Sequence, residues 1–216
     1  MATNYTSKKL SFNNAEQFKE SFYEPEPATV GYVFIGNHVP YANESSPNSI
    51  VDSSSDEKST WDNMFAAKKI TGNDTEFVLP RVDWTGSSRY MQYDDNLTLD
   101  ELVTGNSTIN VKPMYVITSA RNVYKCLSNN VSANSTVEPT GDYTTANGTI
   151  STADGYIWKY MYQLTKEEKL RFTTPSFIPV KTLDLNDNSD QWQVQADAQH
   201  GGLHVINLTN HGVGYV

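Results

Sequence analysis

The sequence predicts a mainly β protein with a few helices (α+β), a layered β-sandwich whose helices sit in long loops. Three observations point there. Aromatic residues make up 12% of the chain, including 13 Tyr, and these side chains favour strands. Tyr156, Trp158, Tyr160 and Tyr162 alternate with Ile157, Lys159, Met161 and Gln163, the period-two pattern of a strand with one packed face. Long tracts rich in Asn, Ser and Thr, at residues 39–55 and 128–154, separate the apolar runs and read as loops. At 216 residues the chain can bury a real core. Residues 1–175 are expected to form one β-sandwich domain with inserted helices, and residues 176–216 the start of a second, truncated β module.

Taken in order, residues 11–23 predict a first helix. Ala15, Phe18 and Phe22 recur at spacings of three and four, and Asn14 with Gln17 resembles a capping box. Residues 29–37 read as a strand with few charges, buried on both faces. Residues 56–70 predict a second helix capped by Ser55. Asp56 and Glu57 stand at its positive end, Lys68 and Lys69 at its negative end, and Gly72 lies just beyond. Trp61, Met64 and Phe65 would give it one apolar face.

Residues 77–90 are the stretch around which the rest is organised. Phe77-Val78-Leu79 runs into Pro80, which fixes its own φ and pushes Leu79 towards an extended backbone. Arg81, Asp83, Trp84 and Arg89 then crowd together, so an extended loop anchored by side chains is expected, with Tyr90 at its end. Thr98 and Glu101 form a capping box for a helical turn at 99–103. Residues 111–119 and 122–127 predict two strands joined at Ala120-Arg121, with Pro113 marking an edge or a bulge. Thr165 and Glu168 cap a helix at 165–172, which Pro175 and Pro179 terminate. Residues 180–190 are turn-rich. Short strands are expected at 192–196 and 203–208, and the glycine-rich tail reads as leading into a strand cut short, as in the front section of a longer polypeptide.

Composition narrows the chemistry. A net charge of −9 and a pI of about 4.8, without basic runs, disfavour nucleic-acid binding. The single Cys126 excludes an intrachain disulfide framework and a Cys-based zinc site, and inside a strand it reads as a small buried hydrophobe. No apolar window reaches the length of a membrane span, and residues 1–10 are polar, without the pattern of a secretory signal.

His200, His204 and His211 lack the helical spacing of a zinc motif. Gly201-Gly202 opposes a helix, and in a strand the first pair would stand about 13 Å apart. Residues 184–190 resemble the start of a calcium loop but carry Ser189 where Gly is required and Gln195 where a bidentate Glu is required. Nine Asn-X-Ser/Thr triplets follow from an Asn/Ser/Thr-rich composition alone. Asp94/Asp95 and Glu167/Glu168 lack an apolar setting that would raise one carboxyl for acid catalysis. No catalytic, cofactor-binding or metal residue is therefore nominated, and no cofactor is expected.

A resemblance adds what spacing does not. Val78-Leu-Pro-Arg-Val-Asp-Trp84 with Ser88-Arg-Tyr90, then Val123-Tyr-Lys-Cys-Leu127, then Asp154-Gly-Tyr-Ile-Trp-Lys-Tyr160 stand in one order. That succession resembles the baseplate wedge subunit encoded by gene eight in T-even-like contractile-tailed bacteriophages. The Trp61–Phe65 segment, with Asp62 and Met64, occupies a matching place upstream. The resemblance covers roughly residues 16–164. On its pattern fall Arg81, Asp83, Trp84, Arg89, Tyr90, Tyr124, Cys126, Gly155, Tyr156, Trp158 and Tyr160. It implies a non-enzymatic structural protein of the virion tail baseplate, assembled in the host cytoplasm, that joins other wedge proteins and forms a homodimer, with no nucleic-acid or membrane partner. Arg81, Asp83, Trp84, Arg89, Tyr90, Tyr156, Trp158 and Tyr160 are its expected structural or interface anchors. Two other classes stand beside it: a carbohydrate-binding virion module using the Tyr156-Trp158-Tyr160-Tyr162 ladder, and a glycan-cleaving tail hydrolase needing two carboxylates across a groove.

Overall fold

The structure is a computed structural model describing residues 8–24, 29–36, 40–43, 45–47, 49, 51–198 and 202. It divides into two units, Met1–Glu76 and Phe77–Val216. In the first unit, α1 (Lys8–Glu20) begins before the expected start, because good helix formers precede Ser11. Asn14 and Gln17 therefore lie inside the helix, and the expected capping box is not used. Phe18 and Phe22 meet edge to face at 5.1 Å. Gly72 lies under the Tyr23 ring so closely that an added Cβ would stand 2.3 Å from it.

The predicted helix over 56–70 is half helix and half strand. Ser53, not Ser55, caps α2 (Ser54–Asp62), its side chain accepting from the Asp56 amide at 3.1 Å. The chain leaves the helix at Asn63, and β2 (Met64–Ile70) pairs antiparallel with β1 (Gly31–Gly36), Val33 opposite Lys68. Backbone pairing with a strand some thirty residues upstream overrides the local helical pattern. Lys68 and Lys69 consequently sit in a ladder rather than at a helix end, and the expected apolar helix face is absent, Trp61 and Phe65 being exposed. β1 itself is exposed along most of its length instead of buried on both faces, since β2 is its only pairing strand among the described residues.

The second unit mixes helices and strands in several small sheets. Its main sheet has four antiparallel strands in the order β6-β7-β9-β8, built from β6 (Tyr115–Ile117), β7 (Asn122–Ser128), β8 (Thr149–Ser151) and β9 (Ile157–Gln163). β3 (Val78–Pro80) pairs antiparallel with β10 (Phe177–Pro179), and β4 (Arg89–Tyr90) pairs parallel with β5 (Val111–Lys112). The strand predicted over 111–119 is thus split at Pro113, which has no amide hydrogen to continue a ladder, and its halves join different sheets. Arg121 takes a positive φ of 67° in the tight turn between β6 and β7. β8 lies inside the expected 128–154 loop, anchored by the buried Ile150 opposite Trp158.

α3 (Leu99–Thr104) and α4 (Lys166–Phe172) both carry the expected Thr/Glu capping boxes. The strand expected at 192–196 is instead α5 (Asp190–Ala196). Ser189 caps it, Gln191 and Val194 are buried, and Gln195 holds the Leu183 backbone through two hydrogen bonds of 2.9 and 3.0 Å. Because β10 pairs with β3 and α5 packs on β9, residues 177–196 belong with the preceding residues. The division falls at residue 76 rather than near 175. The strand expected at 203–208 and His200, His204 and His211 lie outside the described residues.

Candidate functional site

Backbone hydrogen bonds pin the 77–90 loop to three separate segments. Val180 donates to the Phe77 carbonyl and Arg81 to that of Ser176, both at 2.8 Å. Trp84 donates to Ile117 and Ile117 to Val82, at 2.9 and 2.8 Å, while Ser87 and Ser88 bond to Ser135 at 2.7 and 2.8 Å. Arg81 spans the Asp83 carboxylate with Nε and Nη2, the shortest contacts being 2.9 Å. Nη1 of Arg81 donates to the Thr174 carbonyl at 3.4 Å. With Asp83 largely exposed, this pair fixes loop geometry more than it adds stability.

Trp84 is half-buried against the core and donates from Nε1 to Ser135 Oγ at 3.2 Å. Ser135 is fully buried and hands the chain of hydrogen bonds on, its hydroxyl donating to Asp154 Oδ2 at 3.1 Å. The same carboxylate accepts from the Thr136, Val137 and Tyr156 amides, at 2.7, 2.9 and 3.3 Å, and from the Thr152 hydroxyl. Burial on its own raises the Asp154 carboxyl. The hydrogen bonds from Thr152, Val137, Thr136 and Tyr156 together outweigh it and hold the pKa at about 2. Gly155 follows at φ 82°, and a Cβ there would stand 2.7 Å from the Asn130 side chain.

Below this hub lies an aromatic cluster. Trp158 stacks on Tyr156 with ring centroids 5.4 Å apart, and Tyr90 meets Trp158 edge to face at 5.5 Å. Tyr160 meets Tyr124, opposite it in the ladder, at 5.9 Å. Each hydroxyl of the upper pair has a backbone partner: Tyr90 accepts from the Thr85 amide at 2.7 Å, and Tyr156 donates to the Ala133 carbonyl at 2.5 Å. Burial pushes the Tyr156 and Tyr160 phenols up to about 12. Tyr90, Tyr156 and Trp158 are 0% exposed and Tyr160 4%, so the predicted ladder is interior. Tyr162, beyond a register shift at Val123/Tyr124, belongs to a second cluster with Tyr115, Ile117, Val123, Leu164 and Ile178.

The second segment of the resemblance meets the other two here. Tyr124 and Cys126 lie in the same cluster as Tyr90 and Trp158, and the Tyr93 amide donates to the Cys126 carbonyl at 2.9 Å. Burial pushes the Cys126 thiol well above its ordinary range. Arg89 stands apart from the cluster. It donates to the Ile109 carbonyl at 2.5 Å and lines an open groove of about 320 Å³ with Met91, Leu97, Ile109 and Val131. Sequence reasoning missed Ser135, Asn129 and the role of Asp154. The Asp154-Gly155 turn is visible in the sequence, but nothing local links it to residues 135–137.

Elsewhere, Asp94 accepts from the Asn96 amide and side chain, and Glu168 pairs with Lys181 at 3.1 Å, so both carboxylates serve local structure. Ser189 of the calcium-like stretch caps a helix. Among the described residues, no three His, Cys, Asp or Glu side chains stand together as a metal site, and no helix is long and apolar enough to cross a membrane. No family model matches this chain, and no curated protein does.

Proposed function

We propose that this chain is a non-enzymatic structural component of a contractile-tail baseplate wedge, docking neighbouring wedge proteins and helping to hold a baseplate that rearranges on contraction. One observation carries it. The three segments that resemble the wedge family are distant in sequence, yet they meet at one brace made by Trp84, Ser135, Asp154 and the Tyr90–Tyr124–Trp158 cluster. A brace of this kind sets the relative positions of loops without leaving a reactive group in the open. That is what a passive assembly component requires. In this reading the two apolar clusters are the interior of a layered sandwich, and Arg81, Asp83 and Trp84 stiffen it, while Arg89 faces outward. The aromatic row of β9 is interior, so it offers no support to the carbohydrate-binding alternative.

Electron microscopy of the particle that contains this chain tests the assignment, with density for residues 77–198 expected in the tail baseplate against other wedge subunits. Absence of the chain from purified virions, or turnover of a polysaccharide by the purified protein, overturns it.

A further inference from the structure

Asn147-Gly148 is the one Asn-Gly pair in the sequence. Before glycine, the backbone nitrogen reaches an asparagine side chain most easily, because glycine has no Cβ to obstruct it and adopts a wide range of backbone conformations. The reaction needs only hydroxide and water. Hydroxide removes the Gly148 amide proton, the nitrogen bonds to Asn147 Cγ, and ammonia leaves to give a five-membered imide. Water then opens the imide at one carbonyl or the other, giving aspartate or isoaspartate. Asn147 is exposed to that water. Asp154-Gly155 can close the same ring, but its carboxylate is ionised and committed to the amides of Thr136 and Val137, which makes it a poor electrophile.

The fold opposes the first step. Ala146, Asn147 and Gly148 have φ values of 45°, 54° and 77°, a left-handed turn leading into β8. With Asn147 at ψ 39°, the Gly148 nitrogen stands nearly opposite Cβ across the Cα–C bond. Ring closure needs the two on the same side, so the planar 147–148 peptide must swing through most of a half-turn. Both of its ends are caught. The Gly148 amide donates to the Thr145 carbonyl at 2.8 Å, and Lys159 Nζ donates to the Asn147 carbonyl at 2.5 Å. Lys159 lies opposite Thr149 in the β8–β9 ladder, which places its ammonium at the turn. Gly148 itself is buried beside Tyr160, an added Cβ standing 3.5 Å from that side chain, so its amide is shielded from hydroxide.

We propose that Asn147 is a deamidation site that the folded turn keeps closed, with the Thr145 carbonyl and the Lys159 ammonium as its two catches. Conversion then proceeds only from states in which the turn has let go of β9. It runs one way, because isoaspartate adds a methylene to the main chain just ahead of β8, and the strand no longer meets its register on β9. The site thus keeps a permanent record of how often this end of the main sheet opens. None of this depends on the baseplate assignment.

The test incubates the purified full chain in mildly alkaline buffer, native and in urea. Asn147 is followed by peptide mapping, for a gain of one mass unit, and by isoaspartyl methyltransferase labelling. In urea Asn147 should convert ahead of every other Asn, and in the native protein at least about tenfold more slowly. Lys159→Met should speed native conversion about fivefold, the effect of one lost hydrogen bond, without altering the rate in urea. Lys159→Arg, which keeps a donor, should return most of the protection. A native rate equal to that in urea overturns the closed turn, and faster conversion of another Asn in urea overturns the site. Lys159→Met converting at the wild-type native rate overturns the catch. Should Lys159→Met fail to fold, hydrogen exchange of the wild-type Gly148 amide decides. Slowing by the same factor as the conversion supports the closed turn, and exchange at the free-peptide rate overturns it.

Discussion

Asp154 is the residue at which the brace is most easily broken. Its carboxylate collects donors from Ser135, Thr136, Val137, Thr152 and Tyr156, a set that an amide side chain cannot serve in full. Its folded pKa of about 2 lies below the ordinary 3.8. The stabilisation is therefore complete above the ordinary value and is lost as pH falls from about 4 through 2. Discounted for partial solvent screening, the shift is worth about 1–2 kcal/mol. Asp154→Asn should cost at least that at pH 7 and flatten the acid limb, as measured by urea unfolding at pH 7 and pH 3. A variant that keeps the native acid dependence would mean that Asp154 is not the group being titrated. Trp84 depends on the same hub through Ser135, so its position reports on Asp154 even though no hydrogen bond joins the two directly.

At the level of elements, what the sequence makes visible depends on whether the deciding contact is local. The Thr98/Glu101 and Thr165/Glu168 boxes lie within four residues of the helices they start, and both helices stand where expected. The alternating aromatics of β9 are equally legible. β2 is not, because Trp61, Met64 and Phe65 keep helical spacing and the ladder that claims Met64–Ile70 lies far upstream. α5 escapes notice because its buried positions are Gln191 and Val194, and a glutamine does not register in an apolar stripe. Pro113 predicts a bulge or an edge, and in the structure it separates β5 from β6, which belong to different sheets. The site follows the same rule: Tyr90, Tyr156 and Trp158 are named from their own segments, whereas Ser135 enters only through tertiary hydrogen bonds. Ser189→Ala tests the helix that reasoning missed. Loss of its bond to the Trp192 amide, 3.2 Å, should cost about 1 kcal/mol in a thermal or urea melt. No change would show that α5 is held by Gln191 and Gln195 alone.

Across the whole molecule the two units differ in what holds them. Among the described residues of Met1–Glu76 only Gly72 is buried, while Phe77–Val216 contains both apolar clusters. Amides of the β1–β2 ladder should accordingly exchange at least about 100-fold faster than those of β7 and β9 in native-state hydrogen exchange. Equal protection would mean that the units open together. A chemical handle for separating them is already in place. Cys126 is the only thiol in the chain, it is wholly enclosed in β7, and enclosure suppresses its ionisation. A maleimide mixed with native protein thus has no target until the larger unit comes apart. Its rate of attachment becomes a stopwatch for that event alone, blind to whatever the smaller unit does.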